Sequence, residues 1–166
     1  MIKTKAPARI CFFGDHQDYL NLPVIAGTIN RFIEVKGEPN GEEYLLLKLI
    51  DFDSVVKINL NEPLELLKSG DYLRSSIRVL KRNGIVLKKG YDIEIKGNIP
   101  IKAGLSSSSA LTIAWLRFLT KAAVPNTKFE DEQLARWAYE SEVLEFNEAG
   151  GIMDQYTISI GGMLYI

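Results

Sequence analysis

The chain has 166 residues, of which 46% are apolar, and its formal net charge is −1. This length allows one domain with a substantial core. The near-neutral charge gives no electrostatic case for nucleic acid or an anionic membrane as a partner. No apolar run approaches the roughly 20 residues of a membrane span, and the N-terminus lacks a signal-peptide pattern. We therefore expect a cytoplasmic protein. Cys11 is the only cysteine, which excludes an internal disulfide.

The first half of the chain is rich in strand patterns. Alternating or continuous apolar runs predict five strands, at residues 8–13, 32–36, 43–52, 54–60 and 91–100. Asn40-Gly41 predicts a hairpin between the second and third of them. Residues 60–84 are predicted to be helical, with a break at Ser69-Gly70 and Gly84 as the C-cap.

The second half is mostly helical. An apolar stripe that includes Trp115 predicts one helix, which Pro125-Asn126 ends. A second helix begins near Phe129 and carries Trp137, and both tryptophans are expected to lie in the core. A short helix is predicted over residues 153–160, followed by a strand at 161–166. Because the chain stops within that strand pattern, we expect a C-terminal part beyond it.

Polar groups cluster where the first strand ends. Gly14 ends the strand, and Asp15, His16 and Asp18 follow it at once. A lone histidine is more often a surface residue or one satisfied within the protein, but two flanking aspartates favour ligand binding for His16. The alternative for Tyr19 is that it only packs.

A second polar stretch, GLSSSSAL, joins a strand to the Trp115 helix. The first N–H groups of a helix lack internal partners and carry partial positive charge, so this geometry binds phosphate. Serine hydroxyls add donors or ligate Mg²⁺ through oxygen. The lysine of a Walker A loop is absent from the helix start. The alternative is that Ser106 to Ser109 only cap the helix.

Two acidic residues complete the pattern. Glu142 lies in the second helix, and Asp154 opens the short helix after a double glycine. A phosphate loop needs one carboxylate for Mg²⁺ and one to position or deprotonate an acceptor hydroxyl. The alternative for Asp154 is helix capping. The other acids of this segment, Glu140, Glu145 and Glu148, are expected to form a solvated face.

Together these stretches resemble the GHMP kinase superfamily, named for galactokinase, homoserine kinase, mevalonate kinase and phosphomevalonate kinase. ARICFFGDHQDY is similar to the galactokinase signature, GLSSSSAL to the phosphate loop, and GGIMDQY to the galactokinase Gly-Ile-Met-Asp-Gln segment. Cys11, Ala8 and the LNLP stretch depart from the galactokinase pattern, so the identity of the sugar stays open.

The resemblance implies a role for each motif residue. Asp154 is the expected catalytic aspartate, and Arg9 lowers the pKa of the acceptor hydroxyl or stabilises charge, although it could also be an exposed strand-end charge. Glu142 and Ser108 are the expected Mg²⁺ ligands, with the serine uncertain by one position. The expected sugar-binding residues are Asp15, His16 and Asp18. ATP phosphates are expected over Gly104, Leu105, Ser106, Ser107, Ser108 and Ser109.

The implied fold is α+β, a mixed sheet with helices and a left-handed β-α-β crossover. Residues 1–166 would form the N-terminal, ATP- and sugar-binding domain, without the C-terminal domain and inactive alone. The exposed domain face would then favour self-association. The implied activity is ATP-dependent phosphorylation of the anomeric hydroxyl of a monosaccharide. The alternatives are a mevalonate-type or heptose kinase, and a catalytically silent sugar sensor.

Overall fold

The computed structural model describes residues 1–15, 17–20, 22–65, 67–100 and 103–166. Within these residues, six strands form a single mixed sheet, and four α-helices accompany it. The strands are β1 (Ile2–Phe13), β2 (Ile25–Pro39), β3 (Tyr44–Leu49), β4 (Ser54–Asn59), β5 (Tyr91–Gly97) and β6 (Met163–Tyr165). The helices are α1 (Tyr72–Arg82), α2 (Ser107–Ala123), α3 (Asp131–Glu142) and α4 (Met153–Ile160).

The strands lie in the order β1-β2-β5-β3-β4, and β6 pairs with the first residues of β2. Four of the strand pairs are antiparallel, whereas β3 and β5 are parallel. The chain between β3 and β5 runs through β4 and α1, so this parallel pair is joined by a connection that includes a helix. The predicted α+β class with a mixed sheet is confirmed.

The predicted hairpin at Asn40-Gly41 is wrong. Gly41 does turn the chain, with φ of 78°, but β5 lies between β2 and β3, and Pro39 pairs with Tyr91. The side chain of Asn40 donates to Tyr44 O at 3.3 Å and to Asp92 Oδ1 at 3.0 Å, which ties the turn to both neighbouring strands. A local turn signal carries no information about a strand that inserts from a distant part of the chain.

The predicted helix over residues 60–84 is shorter than expected. The described residues before Asp71 are not helical, since Pro63 has no N–H to donate and Gly70 takes a positive φ of 82°. Asp71 caps α1 by accepting a hydrogen bond from Arg74 N at 3.2 Å. Gly84, with φ of 77°, follows the helix and donates to Lys81 O at 3.0 Å, so its predicted capping role is confirmed.

The core lies between the sheet and the helices, with α2 at its centre. This helix contacts β1, β2 and all three other helices. Trp115 and Phe118 are fully buried and stack with ring centroids 5.6 Å apart. Trp137 is also buried, so both tryptophans are core residues as predicted. Among the described residues, no helix has both the length and the apolar character needed to cross a bilayer.

Candidate active site

Arg9 and Asp154 form an ion pair, although β1 and α4 carry them at opposite ends of the chain. Arg9 Nε lies 2.7 Å from Asp154 Oδ1, and Arg9 Nη1 donates to the carbonyl oxygen of Gly104 at 2.6 Å. Arg9 is buried, with 9% of its surface exposed. The alternative that Arg9 is an exposed strand-end charge is therefore wrong. This guanidinium joins the end of β1, the serine loop and the start of α4.

Asp154 does not act as a helix cap. Its two carboxylate oxygens accept hydrogen bonds from Arg9 Nε and from the hydroxyl of Ser106. The backbone N–H of Met153, in the first turn of α4, is instead bonded by the Asp18 carboxylate at 3.0 Å. Asp154 is thus held by side chains from two other elements.

The four serines of the loop have different surroundings. Ser106 is the N-cap residue of α2, but its side chain makes no capping hydrogen bond, so the capping interpretation is wrong for this residue. Ser109 is buried and donates to Glu142 Oε2 at 2.7 Å. Ser107 is half-buried and Ser108 is exposed, at the first turn of α2. The hydroxyl that contacts Glu142 belongs to Ser109, whereas Ser108 is exposed at the surface.

Glu142 is a buried carboxylate with three hydrogen-bond donors. Besides Ser109, the hydroxyl of Thr112 donates to its Oε1 at 2.7 Å and the amide of Gln155 donates to its Oε2 at 2.6 Å. Burial raises the pKa of the Glu142 carboxyl above its ordinary value, and the three donors act in the opposite direction. The donors stabilise the ionised form in a place where solvent cannot.

Thr112 and Gln155 are site residues that sequence reasoning missed. Thr112 lies one helical turn after Ser109, so both side chains share the face of α2 that meets α3. Gln155 directly follows Asp154, within the motif already singled out. The spacing of Thr112 from Ser109 and the position of Gln155 beside the acid were the available signals.

The predicted sugar-binding residues lie on the same side of the molecule. Asp15 and Asp18 both line a cavity that Arg9 and Asp154 also line. His16 falls outside the residues that the structure describes. Tyr19 is 52% exposed and contributes to the cavity wall, which argues against the alternative that it only packs.

Two spaces adjoin at the start of α2. The first is a polar cavity of about 240 Å³, which contains the carboxylates of Glu142 and Asp154. The second is a largely apolar pocket of about 420 Å³. Its apolar lining residues are Ile33, Leu49, Phe52, Ile95, Ile99 and Leu111. Tyr72 and Ser108 line both spaces. A ligand with one apolar part and one charged part would fit across this boundary.

The expected solvated acidic face is partly wrong. The side chain of Glu145 is only 4% exposed, because Arg78 and Arg82 pair with it at 2.6 and 2.8 Å. Glu140 also pairs with Arg82, at 3.1 Å. Glu148 is exposed and lines the polar cavity. Two arginines of α1 therefore anchor this segment.

The oxygen donors at the cavity suit a hard cation. Among the described residues, no group of three or more histidine, cysteine or acidic side chains is placed to hold a metal ion. Mg²⁺ does not require such a group, since it is commonly bound by one or two carboxylates together with substrate phosphates and water. Glu142 and Ser108 line the same cavity and supply a carboxylate and a free hydroxyl, which fits this pattern.

Comparison with known protein families finds a match over more than half of the chain. Residues 71–162 match the model of the GHMP kinases N terminal domain. The chain is 32% identical over 161 residues to a galactokinase from Thermotoga maritima, covering 96% of this chain and 44% of that protein. It therefore spans less than half the length of this relative.

Solved structures show the same similarity in three dimensions. Mevalonate kinase from Methanococcus jannaschii superposes with a TM-score of 0.86 at 27% identity, over 99% of this chain and 53% of that one. A galactokinase from Lactococcus lactis, complexed with galactose, gives 0.82 at 25% identity, over 96% of this chain and 42% of that one. Both kinds of kinase share the fold described above.

Proposed function

This chain belongs to the GHMP kinase family, whose N-terminal domain it matches, and we propose that the full polypeptide transfers a phosphoryl group from ATP to the anomeric hydroxyl of a monosaccharide. The observation that carries the proposal is the pair of spaces that adjoin at Ser108. One is apolar, the other is lined by acidic residues that include Glu142 and Asp154, and the positive end of a helix lies at their boundary. A nucleoside triphosphate has this same division between an apolar base and a charged tail.

We place the adenine base in the apolar pocket and the phosphates over the start of α2. The aliphatic side chains of Ile33, Ile95 and Leu111 offer a dry surface for the base. The unpaired N–H groups at the first turn of α2 and the serine hydroxyls favour the phosphates. In this placement, residues 104–109 form the phosphate loop, and the terminal phosphate of the nucleotide points into the polar cavity.

Glu142 and Ser108 would hold Mg²⁺ between the protein and the phosphates. Glu142 Oε1 accepts one hydrogen bond, from Thr112, and so retains a lone pair. Ser108 lines the same cavity, and its hydroxyl donates to no group in the described part of the chain. When bound, the ion would neutralise negative charge on the phosphates.

Asp154 and Arg9 would act on the acceptor hydroxyl. The Asp154 carboxylate is positioned by Arg9 and Ser106, and it lines the cavity that the terminal phosphate would enter. It orients the acceptor hydroxyl and takes its proton as the acceptor oxygen bonds to the γ-phosphorus, while the bond from that phosphorus to the bridging oxygen breaks and ADP leaves. The adjacent guanidinium stabilises the charge that develops on the acceptor oxygen.

Asp15, His16 and Asp18 would bind the remaining hydroxyls of the sugar. Each sugar hydroxyl needs a directed donor or acceptor, and carboxylates supply acceptors. Asp15 and Asp18 line the polar cavity, and neither lines the apolar pocket. Their placement supports a polyhydroxylated acceptor.

A mevalonate-type acceptor is the second candidate, because a solved mevalonate kinase superposes closely on this chain. The acidic residues beside the site favour the sugar. A heptose kinase and a silent sugar sensor are the remaining alternatives. The hydrogen-bonded Asp154–Arg9 pair, which a sensor would not need, supports an enzyme.

In this proposal, residues 1–166 supply the ATP- and sugar-binding half of a cytoplasmic enzyme, and a C-terminal domain supplies the opposite wall. The support is that this chain covers 44% of the Thermotoga galactokinase. Self-association through the exposed apolar side chains of Phe13, Met163 and Tyr165 is expected only where that second domain is missing.

The test is an acceptor panel with the full polypeptide. Galactose, other monosaccharides, a heptose and mevalonate are each incubated with ATP and Mg²⁺, and ADP formation is measured. The proposal predicts ADP with galactose or another monosaccharide apart from the heptose, and ADP with the heptose alone would favour a heptose kinase. ADP with mevalonate alone would favour the second candidate, and sugar binding without ADP would indicate a sensor.

A further inference from the structure

Ser106 has a backbone conformation that its residue type rarely adopts. Among the described residues other than glycine, three have positive φ, namely Asp53, Ser106 and Asn147. Asp53 and Asn147 end short 3-10 segments, and Asp and Asn tolerate this region best. Ser106, with φ of 53° and ψ of 52°, is instead the N-cap of α2, where extended backbone is usual. A conformation of this kind persists only where its surroundings hold it.

The hydroxyl of Ser106 shows what holds it there. It donates to Asp154 Oδ2 and not to the free N–H groups of its own helix. The carbonyl oxygen of Ser106 still accepts from Ala110 N at 3.0 Å, so the residue opens α2 normally through its backbone. The left-handed conformation therefore directs the side chain out of the helix and onto the acid of α4.

Arg9 fixes the two peptide groups that precede Ser106. Its Nη1 donates to the carbonyl oxygen of Gly104 at 2.6 Å, and its backbone N–H donates to the carbonyl oxygen of Leu105 at 3.4 Å. Both peptide bonds are trans, so each N–H points opposite to its carbonyl. The N–H groups of Leu105 and Ser106 therefore point away from β1. Adjacent N–H groups turned to one side make a binding place for anions.

We propose that Ser106 is a positioning residue whose hydrogen bond to Asp154 holds the phosphate loop against that acid, and we call this Ser106–Asp154 contact the lock. Together with Arg9, it sets the direction of the loop N–H groups and the orientation of the acid through one hydrogen-bonded unit. The nucleotide at the loop and the acceptor at Asp154 are thereby coupled, since a change in either is transmitted through the hydroxyl. The catalytic purpose of the lock rests on the proposed function, whereas the lock itself does not.

Hydrogen exchange of the full polypeptide without ligands tests the lock directly. Ser106→Ala and Asp154→Ala should each speed amide exchange over residues 104–110 by about tenfold. This is the effect expected when one hydrogen bond to a charged group is lost. The double variant should exchange no faster than Asp154→Ala alone, because both changes remove the same contact. Ser107→Ala removes a neighbouring hydroxyl that makes no side-chain hydrogen bond in the described chain, and it should leave exchange unchanged.

Ser106→Gly distinguishes the effect of losing the hydroxyl from the effect of backbone strain at this position. Glycine adopts positive φ freely, so this variant loses the lock without a backbone penalty and should melt at least as high as Ser106→Ala. Loop exchange in Asp154→Ala equal to that of wild type would overturn the proposal, as would additive effects in the double variant.

Kinetics supply a readout that a purely structural role would not move. Ser106→Ala should raise KM for ATP and lower kcat, while KM for the sugar stays within about twofold of wild type. A variant that is only less stable would leave both KM values unchanged, which would contradict the coupling. If wild type binds no ATP, the proposed function fails, and the exchange experiment alone decides whether the lock exists.

Discussion

Asp18 Oδ2 accepts a hydrogen bond from the backbone N–H of Met153 at 3.0 Å, although 135 positions separate the two residues. The contact holds the 3-10 turn after β1 against the first turn of α4. It places the Asp18 carboxylate beside the residue that precedes Asp154. The predicted sugar-binding acid and the predicted catalytic acid are therefore positioned by the same helix start.

Gly151→Ala should damage sugar binding through Asp18. A methyl group at Gly151 would overlap the Asp18 carboxylate, so this side chain must move. We expect KM for the sugar to rise about tenfold, the loss of a charged hydrogen bond, with KM for ATP unchanged. The matched control is Gly150→Ala, whose methyl would lie 3.2 Å from Val143 Cγ2, a contact that a small shift relieves. Equal effects of the two variants on KM would contradict this account.

Glu142→Gln should make the stability of the protein less dependent on pH. Burial raises the pKa of Glu142 in the folded state above the ordinary value of 4.5, so folding favours the protonated carboxyl. The stability that this group contributes is full below pH 4.5 and is lost as pH rises through the folded-state pKa. The variant should therefore gain stability relative to wild type between pH 4.5 and neutrality.

Thermal unfolding at a series of pH values measures this difference. Glu148→Gln, which removes an exposed carboxylate from the same segment, is the control and should show no such gain. A melting-temperature difference between Glu142→Gln and wild type that stays constant with pH would show that burial does not govern this group.

The reactivity of Cys11 should report on Asp15. Burial raises the pKa of the Cys11 thiol, and the negative charge of Asp15 raises it further. Only the thiolate reacts with iodoacetamide, so Asp15→Asn should shift the midpoint of the alkylation rate to lower pH. Asp53→Asn, in a turn that favours asparagine equally, should leave the midpoint unchanged. An unchanged midpoint in Asp15→Asn would place Asp15 farther from Cys11 than the structure does.

Residues 1–166 expressed alone should have little activity and should self-associate. Phe13, Met163 and Tyr165 are 69%, 71% and 75% exposed, which leaves an apolar face near the site open to water. Phosphoryl transfer depends on positioning and on excluding water, and an open half-site does neither well. A kinase assay and light scattering compare this segment with the full polypeptide. Equal specific activity would show that the segment needs no second wall.

Local patterns predicted the elements that depend on local sequence. The bounds of α4 agree with the predicted helix, and the alternating pattern predicted β5, although the strand ends at Gly97 and not at Pro100. The position of Gly84 follows from capping geometry. The Asn40-Gly41 hairpin failed because β5 inserts from a distant part of the chain. The prediction that Glu145 faces solvent was wrong because its arginine partners lie on another helix, where the sequence around Glu145 gives no sign of them. Pairings between distant segments are not encoded in the neighbourhood of either residue.

In the site too, features that depend on local sequence were predicted, and features that depend on contacts between distant segments were not. Motif spacing and family resemblance predicted Arg9, Glu142 and Asp154, and the structure brings all three to one cavity. The capping role considered for Ser106 was wrong, since its conformation depends on Asp154 of another helix. The apolar pocket was not predicted either, because its lining residues come from β2, β3, β5, α1 and α2 and from the turns beside them, and each element supplies at most three of them.

The central claim is that Asp154 acts on a sugar hydroxyl during phosphoryl transfer from ATP. The most direct measurement is turnover of ATP and galactose by the full polypeptide and its Asp154→Asn variant, with the product followed by ³¹P NMR. The account predicts a phosphate on the anomeric oxygen with wild type, and a loss in kcat of about 100-fold or more in the variant, while both substrates still bind. Turnover in the variant close to that of wild type, or phosphate on another oxygen, would contradict it.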